Sequence, residues 1–309
     1  KWIAKLKSDP SFLGDAKKTS YALKSAVSTD AVNYLVKIYQ KGEVPEEYQK
    51  DVLAAIARTG QTADINALLD FALAKKDKNA LVQLGALEES ARQRNIRPDK
   101  NPERIAEFID SEDEQVSQAA IRLAGLWKVT QLNDRLTGLV STGNPNTKKA
   151  ALGALASIDK DKAFKIMTDL TGPKNTAEIR VIAATQMANI NAPEAARIGT
   201  DLMKTLPADT DVSEFFIPFI GNNAAAAALA EAIAAKKIPT EFAKKGRQLV
   251  QARAGWTRQN IDEIKALKSA LEASGGKLPA QKMPQELSAG DITGLAKLAK
   301  DKGDPAKGE

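Results

Sequence analysis

Five basic side chains crowd one short window: Lys244, Lys245, Arg247, Arg253 and Arg258. From Lys236 to Lys268 there are nine lysines or arginines against three acids, an excess equal to the net charge of +6 on the whole 309-residue chain. A basic ridge of this kind can meet nucleic acid, anionic lipid or an acidic protein. A solvated helix surface is the plainer reason for the same run. Other candidate chemistry is sparse. The acidic run DSEDE (Asp110–Glu114) has the composition of a cation site, but it stands just before a helical period, where carboxylates cap the first turn and complement the dipole. PADTDVSE (Pro207–Glu214) lacks the glycine and the closing bidentate glutamate of a calcium loop. A helix cap is expected there as well.

The chain contains no cysteine and no histidine. That excludes disulfides, thiolate nucleophiles, Ser-His-Asp triads and His-ligated zinc or haem within these residues. Met167, Met187, Met203 and Met283 could be haem ligands given in trans, yet three of the four fall on apolar helical stripes, where core packing is the default. Trp127 and Trp256 lie at helix ends beside basic residues and are expected to cover the core between helices. TGNPNT (Thr142–Thr147) and TGPKNT (Thr171–Thr176) follow no strand, so they are helix-connecting turns rather than phosphate loops. No catalytic, cofactor-binding or metal-ligating residue is assigned. The chain is expected not to be an enzyme and to hold no cofactor of its own.

The elements that would position these residues are helices almost throughout. TADINALLDFALAK sets Ile65, Leu68, Leu69 and Ala72 at i, i+3, i+4 and i+7, one apolar stripe. DEQVSQAAIRLAGL repeats it with Val116, Ala119, Ala120, Leu123 and Leu126. Starts are marked by NPER at Asn101, VPEEY at Val44 and NAPEAAR at Asn191, each with proline near the first turn and a glutamate behind it. Period-two alternation is nearly absent, and no run of about 18 apolar residues could span a bilayer.

The helices are periodic among themselves. The pairs Ala119–Ala120, Ala150–Ala151 and Ala183–Ala184 are 31 and 33 residues apart, and Ala54–Ala55 lies about two such periods earlier. Two helices per unit of this length predict an all-α solenoid, with small residues where neighbouring units approach closely. EIRVIAATQMANI (Glu178–Ile190) and TKKAALGALASI resemble HEAT repeats, and the resemblance runs from about Asp30 to Met203. It implies a HEAT/armadillo-like right-handed superhelix of roughly eight helix pairs. Residues 1–273 are expected to form the solenoid, 274–287 a Gly-, Pro- and Lys-rich linker, and 288–309 a terminal helix and the start of a downstream domain.

Two later stretches carry a second resemblance. AAAALAEAIAAKKIPTEFAKKG and the closing GDPAKGE (Gly303–Glu309), preceded by DITGLAKLAKDK, are similar to a family of large planctomycete and verrucomicrobial membrane-bound dehydrogenase or haem-binding proteins. There a β-propeller precedes HEAT repeats, and a cytochrome c domain follows. The resemblance implies a periplasmic or otherwise exported setting, and adjacent dehydrogenase-like and cytochrome c domains as partners. Haem c is expected in the downstream domain, since no Cys-x-x-Cys-His motif stands in this sequence. The opening KWIAKLKSDP, without an initiator methionine, fits the expectation of a fragment. A stand-alone solenoid that binds protein is the alternative. A HEAT-like DNA glycosylase, with Trp256 as its aromatic, is the weakest reading, because the basic residues gather at one end rather than along successive inner helices.

Overall fold

The computed structural model describes residues 2–9, 12–25, 28–77, 79–254, 258, 260–278, 290, 293 and 297. Trp256, Met283 and the GDPAKGE stretch lie outside them. Every regular element among the described residues is helical: α1 (Trp2–Ser8), α2 (Ala16–Lys24), α3 (Thr29–Gln40), α4 (Glu46–Thr59), α5 (Thr62–Lys75), α6 (Ala80–Arg94), a 3-10 helix (Pro102–Phe108), α7 (Glu114–Leu126), α8 (Asn133–Thr142), α9 (Pro145–Ile158), α10 (Lys160–Leu170), α11 (Ala177–Ala188), α12 (Ala192–Met203), α13 (Ser213–Gly221), α14 (Asn223–Lys236), α15 (Thr240–Arg253) and α16 (Asp262–Leu271), with short helical turns at Thr130–Leu132 and Glu272–Gly276.

The caps explain most of these starts. Asp113, Asn144, Asp159, Thr176, Asn191 and Asn222 each accept a hydrogen bond from a backbone N–H of the first turn they precede. Such caps are worth about 1 kcal/mol apiece. The DSEDE run therefore serves α7 as a cap. Asn101 does not behave as NPER predicts. It is left-handed (φ 47°), makes no side-chain cap bond and opens a 3-10 helix, because a left-handed residue lacks the extended backbone that turns a cap side chain over the first amides.

Helices alternate between two layers, so the fold is an all-α solenoid of stacked helix pairs of the HEAT/armadillo type. One layer holds α1, α3, α5, the 3-10 helix, α8, α10, α12, α14 and α16, and the other holds α2, α4, α6, α7, α9, α11, α13 and α15. In this second layer, called B, each helix from α4 to α15 packs on the next. The apolar stripes meet between the layers: Ile65, Leu68, Leu69, Ala72, Val116, Ala119, Ala120 and Leu123 are all buried. So are Trp127, Met167, Met187 and Met203, which makes these core residues rather than ligands offered outward. Leu126 is only half-buried.

Small residues set the spacing within the B layer. A β-carbon on Gly125 of α7 would lie 2.6 Å from Ala154 Cα and 3.2 Å from its carbonyl oxygen on α9. The two backbones are thus in direct contact there. Polar contacts repeat at one-unit separation as well. Arg122 pairs with Glu88, Arg94 donates to the Gly60 carbonyl, and Arg104 pairs with Asp70, each across 34 residues. Beyond α16 the chain turns back onto α15. Gly275 is left-handed (φ 89°) against Thr240, Thr240 Oγ1 donates to the Ser274 carbonyl, and Ser274 is buried. The first residues of the expected linker thus belong to the packed turn.

Candidate functional site

The side chains on the free side of the B layer build a groove in two adjoining stretches, and one ion pair spans part of it. Lys149 Nζ on α9 reaches Glu214 Oε2 on α13 at 2.6 Å, although α11 lies between those helices in the row. Packed helices stand about 8–10 Å apart, so alternate helices in a flat row would be about twice as far from one another. Extended lysine and glutamate side chains together span that distance, so the pair ties α9 to α13 across α11. The same side carries two adjoining depressions, each lined by successive B helices.

One stretch of the groove, about 560 Å³, runs from α6 to α11. Its floor is made of Ala150, Gly153 and Ala154, and its walls carry Arg92, Arg122, Gln118 and Gln186. Gly153 is open, with Gln186 Oε1 3.9 Å from where a β-carbon would be. Glu88 organises the cations at one end. Its carboxylate accepts from Arg92 at 2.7 Å and from Arg122 Nε at 3.0 Å and Nη2 at 3.1 Å. Burial pushes this carboxyl upward, but the two guanidiniums outweigh it and hold the group below its ordinary value. Glu114 does similar work at the other wall, where Gln118, Asn144 and Asn146 all donate to its Oε1.

A second stretch, about 700 Å³, adjoins the first through Asn146 and Lys149. It lies over the N-terminal ends of α9, α11 and α13 and is floored by Val181 and Ile182. Carboxylates rim it: Glu178, Asp209, Asp211 and Glu214. The Ser213 hydroxyl and backbone amide both hydrogen-bond Asp211, and Lys245 pairs with it at 3.2 Å. Together they hold its carboxyl down at about 2.

The basic residues singled out in the sequence do not converge on either stretch. Lys244 and Arg253 are exposed on α15. Lys245 is spent on Asp211, and Arg247 Nε pairs with Glu272 at 2.9 Å with most of its side chain buried. Arg258 donates from Nη2 to the Ile220 carbonyl at 3.0 Å and to Asn223 Oδ1 at 2.9 Å. Three of the five thus tie α13, α14 and the turn after α16 to their neighbours. The first stretch escaped sequence reasoning because its arginines and carboxamides stand on the polar side of their helices, whereas PADTDVSE, expected to be a helix cap, supplies Pro207, Asp209, Asp211 and Glu214 to the second. For the first stretch the signal was the 34-residue interval between Glu88 and Arg122, close to the alanine period.

Comparison with known proteins supports the same architecture. A family model described as HEAT repeats matches residues 101–188, the span from the 3-10 helix through α11 that holds the first stretch of the groove. No curated protein and no solved structure matches the chain. Part of this chain is therefore a HEAT-repeat region, the class of module that scaffolds protein interactions and is characteristically non-catalytic. Among the described residues no group of His, Cys, Asp or Glu could hold a metal ion, and no helix is long and apolar enough to cross a membrane.

Proposed function

We propose that this chain is a non-catalytic HEAT-repeat scaffold that seats a polypeptide partner along the grooved side of its B layer. The observation that carries the reading is the groove itself, two adjoining stretches of about 560 and 700 Å³ lined by successive B helices from α6 to α13 and large enough for an extended segment. The small-residue floor admits a backbone closely, and the arginines and carboxamides on the walls offer donors to it. A photo-reactive amino acid at Ser157, on the groove, should cross-link a discrete partner protein in extracts of the source organism. The same label at Lys165, on α10 in the opposite layer, should not. Equal cross-linking from both positions, or none from Ser157, refutes the reading.

The finer form of the proposal places this scaffold in an exported redox protein, between a dehydrogenase-like propeller and a cytochrome c domain. Its support is the resemblance of GDPAKGE and of the alanine-rich stretch at α14 to that family. The repeats would then act as a stiff spacer that sets the distance between an oxidising domain and its electron acceptor. Reading the encoding gene past Glu309 tests this: the expected result is a Cys-x-x-Cys-His motif within a few tens of codons. An open reading frame without it sinks the redox placement and leaves the scaffold reading intact.

A further inference from the structure

The second stretch of the groove has a chemistry that specifies its occupant. Its floor is apolar: Val181 and Ile182, with Pro145 and Pro207 at the ends. Among the described residues Glu178 and Asp209 make no ion pair, while Asp211 and Glu214 are each matched by one lysine. The rim therefore carries two carboxylates beyond what Lys149 and Lys245 neutralise, in a chain whose overall charge is positive. Glu178 and Glu214 also sit in the first turns of α11 and α13, where the helix dipoles favour them. Asp209 has no such role, because it lies in the loop between α12 and α13. Asp211 stays ionised throughout the ordinary pH range. A cleft walled by one sign of charge attracts the opposite sign, and an apolar floor beneath it rewards one buried side chain.

We infer that this stretch is the anchor point of the partner, and that it takes an apolar residue flanked by lysine or arginine on the partner polypeptide. The inference rests on the scaffold reading above and makes it more specific. The apolar side chain covers Ile182, and the two flanking cations reach Glu178 on one side and Asp209 on the other. Nucleic acid and anionic lipid are repelled by the same rim. The acidic anchor also fixes a direction, since the far end of the groove presents Arg92 and Arg122.

Methyl NMR of the full chain tests the inference, with the Ile182 methyl as reporter. The probe is the peptide Gly-Ser-Arg-Leu-Lys-Ser-Gly, titrated into the protein at low salt. Two control peptides replace Arg and Lys by Glu, or Leu by Ser. The expected result is a saturable shift of Ile182 with the first peptide and no saturation with either control. In the E178Q/D209N double variant, whose changes touch only exposed carboxylates, affinity should fall roughly five- to tenfold for two solvent-exposed pairs. Raised salt should weaken binding further by screening. No shift of Ile182 at millimolar peptide, an equal response to the glutamate peptide, or unchanged affinity in the double variant overturns the inference. A partner that cross-links at Ser157 yet leaves Ile182 unshifted overturns the anchor alone. Failure of the Ser157 cross-link would count against the scaffold reading itself.

Discussion

Replacing Gly125 by alanine is expected to destabilise the solenoid, even though the same change raises helix propensity. Gly125 is the next-to-last residue of α7, so alanine gains at most the about 1 kcal/mol it is worth over glycine in a helix interior. Against that gain, the new β-carbon would sit 2.6 Å from Ala154 Cα, 3.0 Å from its Cβ and 3.2 Å from its carbonyl oxygen. Two of those three atoms are backbone, so no rotamer change relieves the clash, and α7 must move away from α9. Overpacking of this kind costs about 1–3 kcal/mol, toward the upper end when a helix has to shift. The net loss should be about 1–2 kcal/mol. Gly138 supplies the control. It lies within α8, is exposed, and has nothing within 4 Å of a built β-carbon. Gly138→Ala should therefore keep the propensity gain and stabilise the protein by roughly 0.5–1 kcal/mol. Urea unfolding followed by circular dichroism and by tryptophan fluorescence would give the two midpoints, with coincidence of the probes checking cooperativity. The reasoning fails if G125A unfolds at or above the wild-type midpoint, or if both variants shift in the same direction.

Other outcomes follow from the polar contacts. Glu88→Gln removes the charge shared by Arg92 and Arg122, and should lower stability by about 1–2 kcal/mol, read as a drop in unfolding midpoint. Glu214→Gln, at an exposed pair, should cost less than about 1 kcal/mol, but hydrogen exchange should rise locally at the N-termini of α9 and α13. Asp211 should titrate near 2 by carboxyl NMR, and Ser213→Ala should raise that value. Because the folded-state value lies below the unfolded one, Asp211 contributes stability above about pH 4. That contribution disappears as pH falls toward 2. Arg247→Met should destabilise the α15–α16 junction, whereas Lys244→Glu and Arg253→Glu should each stay within about 0.5 kcal/mol of wild type. The chain should show no salt-sensitive binding to duplex DNA at low ionic strength, measured by fluorescence anisotropy. Steep loss of a measurable affinity with salt would instead revive the phosphate-tracking ridge.

Helices, most of their starts and their pairing were legible in the sequence because the physics behind them is local. The stripe at Ile65, Leu68, Leu69 and Ala72 follows from the helical repeat alone, and Asp113, Asn144, Thr176 and Asn191 need only the first turn beside them to act as caps. The alanine pairs at 31- and 33-residue spacing announced close packing between units, and Ala119, Ala120, Ala151, Ala183 and Ala184 are buried as that requires. Asn101 marks the limit of such reasoning, since asparagine both caps helices and tolerates the left-handed region, and only the path into the 3-10 helix decides between them. Tertiary structure alone decided what the charged residues do. The basic window read as one ridge along the chain, but pairing with Asp211 and Glu272 and donation to Ile220 and Asn223 divide it. The groove is non-local in the same sense: Lys149 and Glu214 are 65 residues apart and meet only because α9, α11 and α13 stack side by side. Periodicity specifies which face of a helix is apolar. Which polar face lines a groove depends on how small residues such as Gly125 let neighbouring backbones approach, and that is a property of the stack.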